Sequence, residues 1–137
     1  MVINKLGIMP ELTTISWKQF PDGREYELAL SYLEIVGSPN KASELLDRLI
    51  DDPDIHYWRS GDILRAAGLF PPVVPNGDFY QVIRDINSNV SLNPPLIIKS
   101  LTQQRIHIAS GYEVIAAVHM HNTRATIPCH VTAWDLA

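Results

Sequence analysis

The segment that most constrains the fold runs from residue 106 to 121 and reads IHIASGYEVIAAVHMH. Apolar and polar side chains alternate before Gly111, which indicates a half-buried strand, and the residues after it have the composition of a helix. A strand that enters a helix through a tight glycine turn is a usual place for a phosphate site, because the first N–H groups of the helix lack partners. The segment therefore raises a question of function as well as of fold.

The first half of the chain is predicted to be helical. FPDGREYELALSYLEIVGS and SPNKASELLDRLIDDPD carry apolar residues at three- and four-residue spacing, which indicates two helices. Asp22 and Ser38 are expected to cap their starts, and Gly37 and Pro53 to mark their ends. SGDILRAAGL is predicted as a short third helix with Ser60 as its cap.

The second half of the chain has a different pattern. Gly68 is expected to close the third helix in a left-handed conformation, and the prolines of FPPVVPNGD interrupt helical structure. DFYQVIRDINSN is predicted as a fourth helix, PPLIIKS and RIHIA as strands, GYEVIAAVHMH as a helix and ATIPCHVTAW as a last strand. This order predicts an α+β fold with a small mixed sheet. We expect one domain over residues 1–137, mainly helical through residue 90 and β-β-α-β from residue 91, with an N-terminal arm or edge strand.

The composition argues against several classes of protein. The chain of 137 residues has a formal net charge of −4, and its 11 basic residues are scattered, which argues against binding nucleic acid. Cys129 is the only cysteine, so a disulfide framework and a cysteine-based zinc site are excluded. No window reaches the roughly 20 apolar residues of a membrane span, and the N-terminus does not read as a signal peptide. We therefore expect a cytoplasmic protein without a membrane partner.

Three segments carry a resemblance to a known superfamily: ILRAAGL, IASGY and IPCHV. They resemble the ParB/sulfiredoxin-like superfamily, and within it an uncharacterised bacterial branch, over residues 20–133. The resemblance implies a fold in which a G-x-x-R turn between a strand and a helix binds nucleotide phosphates, as in partition proteins, sulfiredoxins and related kinases.

The turn of this chain departs from the superfamily pattern where phosphate would bind. Ser110 stands at the branch's aspartate, Glu113 at its histidine and Val114 at its arginine, and only Gly111 and Tyr112 match. The phosphate-binding arginine therefore has no counterpart. The degenerate turn formed by Ser110, Gly111, Tyr112 and Glu113 is nevertheless the expected position of any nucleotide, accompanied by Mg²⁺.

The sequence SGYE of this turn also matches a capping box. In that arrangement the Ser110 hydroxyl accepts from the N–H of Glu113, whose carboxylate reaches back to the N–H of Ser110. The Glu113 charge would stabilise the helix by about 0.3–1 kcal/mol and repel a phosphate. Val114 is predicted to lie in the core, so the sequence favours a structural turn over a phosphate site.

Other residues are weaker candidates for chemistry. An H-x-H pair and two further histidines make a metal site conceivable, and the candidate ligands are His107, His119, His121 and His130. Cys129 on a strand is better interpreted as a small buried hydrophobic residue than as a nucleophile. The carboxylates of Asp51, Asp52 and Asp54 beside Pro53 indicate a solvated turn.

Two aromatic segments, HYWR and LFPPVVP, contain residue types that dominate protein interfaces. We identify Tyr57, Trp58, Arg59 and Phe70 as candidate interface residues. The alternative, that Trp58 and Phe70 fill the core beneath a loop, remains open.

Two functional hypotheses follow. The first is a non-catalytic ParB/sulfiredoxin-like domain without a cofactor, acting as a protein-binding or regulatory module, with a homodimer as one form of that binding. The second is a nucleotide- and metal-dependent enzyme of the same superfamily: a phosphotransferase, NTPase or nuclease. The second requires a substitute cation at the turn, from Lys99, Arg105 or Arg124, or a metal ion held by Glu113 and a histidine.

Overall fold

A computed structural model of the chain describes residues 14–73 and 77–134. The elements in these ranges follow one another as α1 (Gly23–Val36), α2 (Pro39–Asp51), β1 (Asp54–Arg59), α3 (Ser60–Ala66), α4 (Gly77–Asn87), β2 (Leu96–Ser100), β3 (Arg105–Ser110), α5 (Tyr112–His121) and β4 (Thr126–Trp134). The α+β class with a helical N-terminal half is confirmed. Most of the predicted N-terminal arm lies outside the described residues; at its end, Trp17 forms an isolated parallel bridge with Leu92.

The four strands form one mixed sheet in the order β1-β4-β2-β3. β4 lies between β1, to which it is antiparallel, and β2, to which it is parallel. β2 and β3 are antiparallel neighbours. Because α5 carries the chain from β3 back across the sheet to β4, the last strand enters the middle of the sheet and leaves β1 and β3 at its edges.

Helices cover the sheet on both faces. α1 and α2 pack on one face against Leu96, Ile98 and Ala109, whereas α3, α4 and α5 pack on the other against residues that include Ile97 and Ile127. Burial on both faces explains why β2 begins as an uninterrupted apolar run. α5 is buried continuously from residue 114 to 118, so it is the central helix of its layer.

The strand β1 was not predicted. Its residues DIHYWR lie in the half of the chain interpreted as helical, and all of them except Trp58 are exposed. A strand without a clearly buried face lacks the periodic signal that identifies strands in a sequence. Its only neighbour in the sheet, β4, lies about 70 residues further along the chain, so no hairpin turn marks it either.

The predicted helix ends are confirmed in part. The Ser38 hydroxyl accepts from the N–H of Lys41 at 3.2 Å, and Pro39 is the first residue of α2, as expected. Gly68 has the predicted left-handed conformation, with φ of 73°. Asp22 occupies the N-cap position of α1, but its side chain makes no capping bond and instead accepts from Lys18 Nζ at 2.7 Å.

Ser60 does not cap α3, so that prediction is wrong. The N-cap position belongs to Arg59, and Ser60 is the first residue inside the helix. Its buried hydroxyl instead forms a hydrogen bond with Nδ1 of His119, at 3.0 Å, and so joins α3 to α5. A long-range partner that the local sequence does not reveal has replaced the capping interaction.

We predict that Ser38→Ala lowers the free energy of unfolding by about 1 kcal/mol, because the N–H of Lys41 loses its capping acceptor. Urea denaturation monitored by circular dichroism measures the change. Ser43→Ala in the exposed middle of α2 is the matched control and should be neutral or slightly stabilising. Equal effects of the two substitutions would contradict the capping role of Ser38.

Candidate functional site

The turn between β3 and α5 is not a capping box, so that prediction is wrong. α5 begins at Tyr112, and its N-cap residue is Gly111, with φ of 96° and no side-chain capping bond. Ser110 is the last residue of β3 and pairs with Leu96, which holds it outside the helix. The Ser110 hydroxyl is buried and has no hydrogen-bond partner of standard geometry among the described residues.

The glycine of this turn is required by the fold itself. Its left-handed backbone conformation is unfavourable for residues with a Cβ. A Cβ added at Gly111 would also lie 2.8 Å from both Cα and Cβ of Pro95, closer than atoms can approach without displacement. The contact between Gly111 and Pro95 therefore accounts for the glycine without a ligand.

The residues that follow Gly111 also have structural roles. The hydroxyl of Tyr112 accepts from the backbone N–H of Val73 at 2.9 Å, which attaches the proline-containing loop to α5. Val114 is buried in the core, as predicted. Glu113 remains partly exposed at the first turn of α5. Of the turn residues, Gly111 and Glu113 face a recess in the surface.

That recess has a volume of about 200 Å³ and lies between α1, α4 and the start of α5. Its charged lining residues are Arg24, Glu25, Asp78 and Glu113. Unpaired N–H groups of α5 and the guanidinium of Arg24 would attract an anion, but three carboxylates oppose it. The recess is therefore acidic overall, despite its position at the N-terminus of a helix.

The pKa of the Glu25 carboxyl group is raised in this recess. Burial is the main cause that raises its pKa. The facing hydroxyl of Ser110 lowers the pKa in part, although the two groups do not meet standard hydrogen-bond geometry, and the nearby carboxylate of Glu113 raises it again. An anion bound in the recess would raise it further, so Glu25 opposes phosphate binding.

The cations proposed as substitutes for the missing arginine are not at the turn. Arg105 begins β3 and donates to the carbonyl of Ala67 at 2.9 Å, and Lys99 pairs with Ile106, so both lie at the other end of β3, roughly 16 Å from the turn. Arg124 follows the C-terminus of α5, roughly 15 Å from its first residue. The cation beside the turn, Arg24, comes from α1 and was not predicted.

Two of the histidines considered as metal ligands bond hydroxyl groups in different parts of the fold. Nδ1 of His107 forms a hydrogen bond with the Tyr32 hydroxyl at 3.1 Å, and His119 bonds Ser60. His130 is buried on β4, and burial lowers its pKa. Within residues 14–73 and 77–134, no three or more His, Cys, Asp or Glu side chains form a group that could hold a metal ion.

Cys129 is a core residue, as interpreted from the sequence. Its side chain is fully buried, and its thiol donates to the carbonyl of Ile127 at 3.4 Å. Burial raises the pKa of the thiol to about 12. A thiol in this state holds its proton at neutral pH, so Cys129 lacks the thiolate that a nucleophile needs.

Three of the four candidate interface residues, Tyr57, Trp58 and Arg59, lie on β1. Trp58 is half-buried against the core and stacks on His56 with ring centroids 4.9 Å apart, which supports the alternative that it fills the core. Tyr57 and Arg59 point to the opposite face of the sheet and are exposed. Phe70 is also exposed, in contact with the ring of His119 and the guanidinium of Arg65.

None of the helices in the described part of the chain covers the sheet face around Tyr57. Exposed fractions are 69% for Tyr57, 43% for Ile55 and 58% for Phe20, whose ring lies edge-on against His130 opposite Ile55. We name Phe20, Ile55 and Tyr57 the β1 face. A second recess of about 390 Å³, with Trp17 in its wall, adjoins Tyr57.

Among residues 14–73 and 77–134, no strand pairs with the outer edge of β1. Tyr57 lies opposite Pro128, which has no N–H to donate. His130, opposite Ile55, donates its N–H to the carbonyl of Pro95 at 3.0 Å, away from β1. Both pairs are therefore non-hydrogen-bonded positions of the antiparallel ladder, and the backbone N–H and carbonyl groups of Ile55 and Tyr57 face outward.

We predict that Glu113→Gln lowers the pKa of Glu25, because it removes the neighbouring negative charge. Carboxyl NMR titration measures the shift, and Glu27→Gln on the exposed side of α1 is the control. Folding raises the pKa of Glu25 above 4.5, so ionised Glu25 destabilises the folded state. This destabilisation is absent below pH 4.5 and is complete at pH values above the pKa that Glu25 has in the folded state. An ordinary Glu25 pKa, unchanged by Glu113→Gln, would contradict the geometry.

In comparisons with known proteins, no family model, no curated protein and no solved structure matches this chain. The resemblance to the ParB/sulfiredoxin-like superfamily therefore stays a prediction. No helix among the described residues is long and apolar enough to cross a membrane.

Proposed function

We propose that this chain is a non-catalytic protein-binding module and that its partner adds an extended segment to the outer edge of β1. The observation that carries the proposal is the combination of an open strand edge with an uncovered sheet face. Outward backbone groups at Ile55 and Tyr57 supply the hydrogen bonds, and the β1 face supplies apolar contacts.

The other edge of the sheet is a poorer site for strand addition. Every residue of β3 after Arg105 is at least partly buried, and α1 packs directly against this strand. His107 of β3 is held by the hydroxyl of Tyr32. Among the described helices, the main contact of β1 is with α3, which follows it directly in the chain, and the six residues of β1 include no proline.

Several candidates for chemistry are engaged in the fold, which supports a binding role rather than a catalytic one. Gly111 and Tyr112 hold the turn against Pro95 and Val73. The hydroxyl of Ser60 is fully buried, as is the thiol of Cys129. A substrate would have no access to these two groups without local unfolding.

The nucleotide- and metal-dependent alternative retains one supporting observation, which is the position of Arg24 beside the N-terminus of α5. It requires that Mg²⁺ or another cation neutralise Glu25, Asp78 and Glu113 before a phosphate could approach. It further requires a nucleotide to enter a recess of only about 200 Å³. We therefore place it second.

Selection of peptides from a random display library on the immobilised chain tests the proposal. We predict that selected peptides alternate apolar side chains and that Tyr57→Lys weakens their binding by about tenfold, the effect of losing an interface hot spot. Tyr80→Lys on α4 is the control, because Tyr80 is a second tyrosine with more than half of its surface exposed. Peptides that bind both variants equally, or a library that yields none, would contradict binding at β1.

A further inference from the structure

We propose that the segment that adds to β1 belongs to another protein, runs antiparallel to β1 and has the pattern acidic-x-apolar-x-apolar-basic. The inference rests on the proposed function, because it names the chemistry of the partner at the same edge. It is carried by the different charges on the two faces of β1 and by the positions of the outward backbone groups.

The two faces of β1 present different side chains to a strand that adds beside it. Successive side chains of a strand point to opposite faces, so Ile55, Tyr57 and Arg59 share one face. Asp54 lies on the other face together with Trp58, because their partners on β4 both belong to the core beneath α3 and α5. The first face is therefore apolar with a basic end, and the second begins with an acidic residue.

Of the three β1 residues on the first face, Arg59 alone is charged. It is exposed, and within residues 14–73 and 77–134 it takes part in no ion pair. Lys18, which lies close in sequence to Phe20 of the β1 face, is by contrast bound to Asp22 at 2.7 Å. A carboxylate beside Arg59 on an added strand would thus meet a guanidinium that has no other acidic partner, and a lysine there would be repelled.

The second face is acidic where β1 begins. Asp54 is exposed at this end, and Asp51 and Asp52 are exposed just before it. In the part of the chain that the structure describes, none of these three carboxylates takes part in an ion pair. A lysine or arginine of the added strand is favoured beside Asp54, and charge complementarity of this kind selects both the partner and its orientation.

The outward backbone groups set the spacing of the pattern. Ile55 and Tyr57 each form a hydrogen-bonded pair with the residue directly opposite, whose side chain lies on the same face. When an apolar residue lies opposite Tyr57, the partner residue two positions earlier lies beside Arg59, and the one two positions later lies opposite Ile55. The next partner residue then lies opposite Asp54. Antiparallel pairing is also the slightly more stable arrangement per residue.

The β1 strand of a second copy does not meet this pattern. Its Tyr57 or its Ile55 could lie opposite Tyr57 of the first copy, because both have outward backbone groups. Those two registers place Ile55 or Pro53 of the second copy beside Arg59 of the first. Neither residue is acidic, so we assign the added strand to a different protein.

Two synthetic peptides of the same composition test the pattern on the unmodified chain. The first contains Glu-Thr-Val-Thr-Val-Lys and the second Lys-Thr-Val-Thr-Val-Glu, both with Gly-Ser flanks. We predict that calorimetry gives a dissociation constant about tenfold higher for the second, because it places like charges beside Arg59 and Asp54. The reversed peptide, Lys-Val-Thr-Val-Thr-Glu, has the order required for parallel addition and should also bind more weakly than the first.

The variant Arg59→Glu isolates one of the two charge contacts. It should weaken the first peptide about fivefold, and replacing the glutamate of that peptide with lysine should restore the affinity. Arg84→Glu on α4 makes the same change in net charge at another exposed position and should leave the affinity unchanged. Circular dichroism checks that both variants are folded, and the comparison of peptides on the unmodified chain decides the question without them.

Equal affinity for the first two peptides would overturn the inference, and so would tighter binding of the reversed peptide. If those peptides still protect the amides of Ile55 and Tyr57 from exchange, strand addition at β1 stands and only the charge pattern fails. If no peptide binds, including any from the random library, the proposed function fails together with the inference.

Discussion

The insertion of β4 between β1 and β2 is the constraint on which the rest of this structure depends. β4 pairs with β1 through residues 126–131 and with β2 through residues 130–134, so one strand joins the helical half of the chain to the C-terminal half. Its residues Ile127, Cys129 and Val131 lie in the core on one face. The same insertion leaves β1 at the edge of the sheet, where no other strand of the described residues pairs with it.

The strand–turn–helix segment that suggested a phosphate site is used by the fold instead. Gly111 permits close contact with Pro95, Tyr112 holds the loop that contains Val73, and Val114 fills the core. The recess beside the turn combines one guanidinium with three carboxylates, and burial together with a neighbouring carboxylate raises the pKa of Glu25. The position that resembles a nucleotide site is thus electrostatically unsuited to phosphate, and the open edge of β1 becomes the better candidate for binding.

Those parts of the fold that depend on local interactions could be predicted from the sequence. The Ser38 cap, the left-handed Gly68 and the apolar strand β2 follow from neighbouring residues alone. Other features of the structure depend on long-range interactions, which local sequence patterns do not reveal. β1 depends on pairing with β4, Ser60 bonds His119 instead of its own helix, and the cation beside the turn is Arg24 from the first helix. The sequence SGYE matches a capping box, but the capping bonds do not form because Ser110 pairs with Leu96 as the last residue of β3.

Amide hydrogen exchange measured along β1 by NMR tests the central claim most directly. In dilute solution the amides of Ile55 and Tyr57 should exchange rapidly, because they face outward, whereas those of His56 and Trp58 should be protected by β4. Adding a peptide selected for binding should protect Ile55 and Tyr57 as a second strand adds. Protection of Tyr57 without peptide would show that the edge is closed within the chain, and rapid exchange at a saturating peptide concentration would show that no strand adds to it.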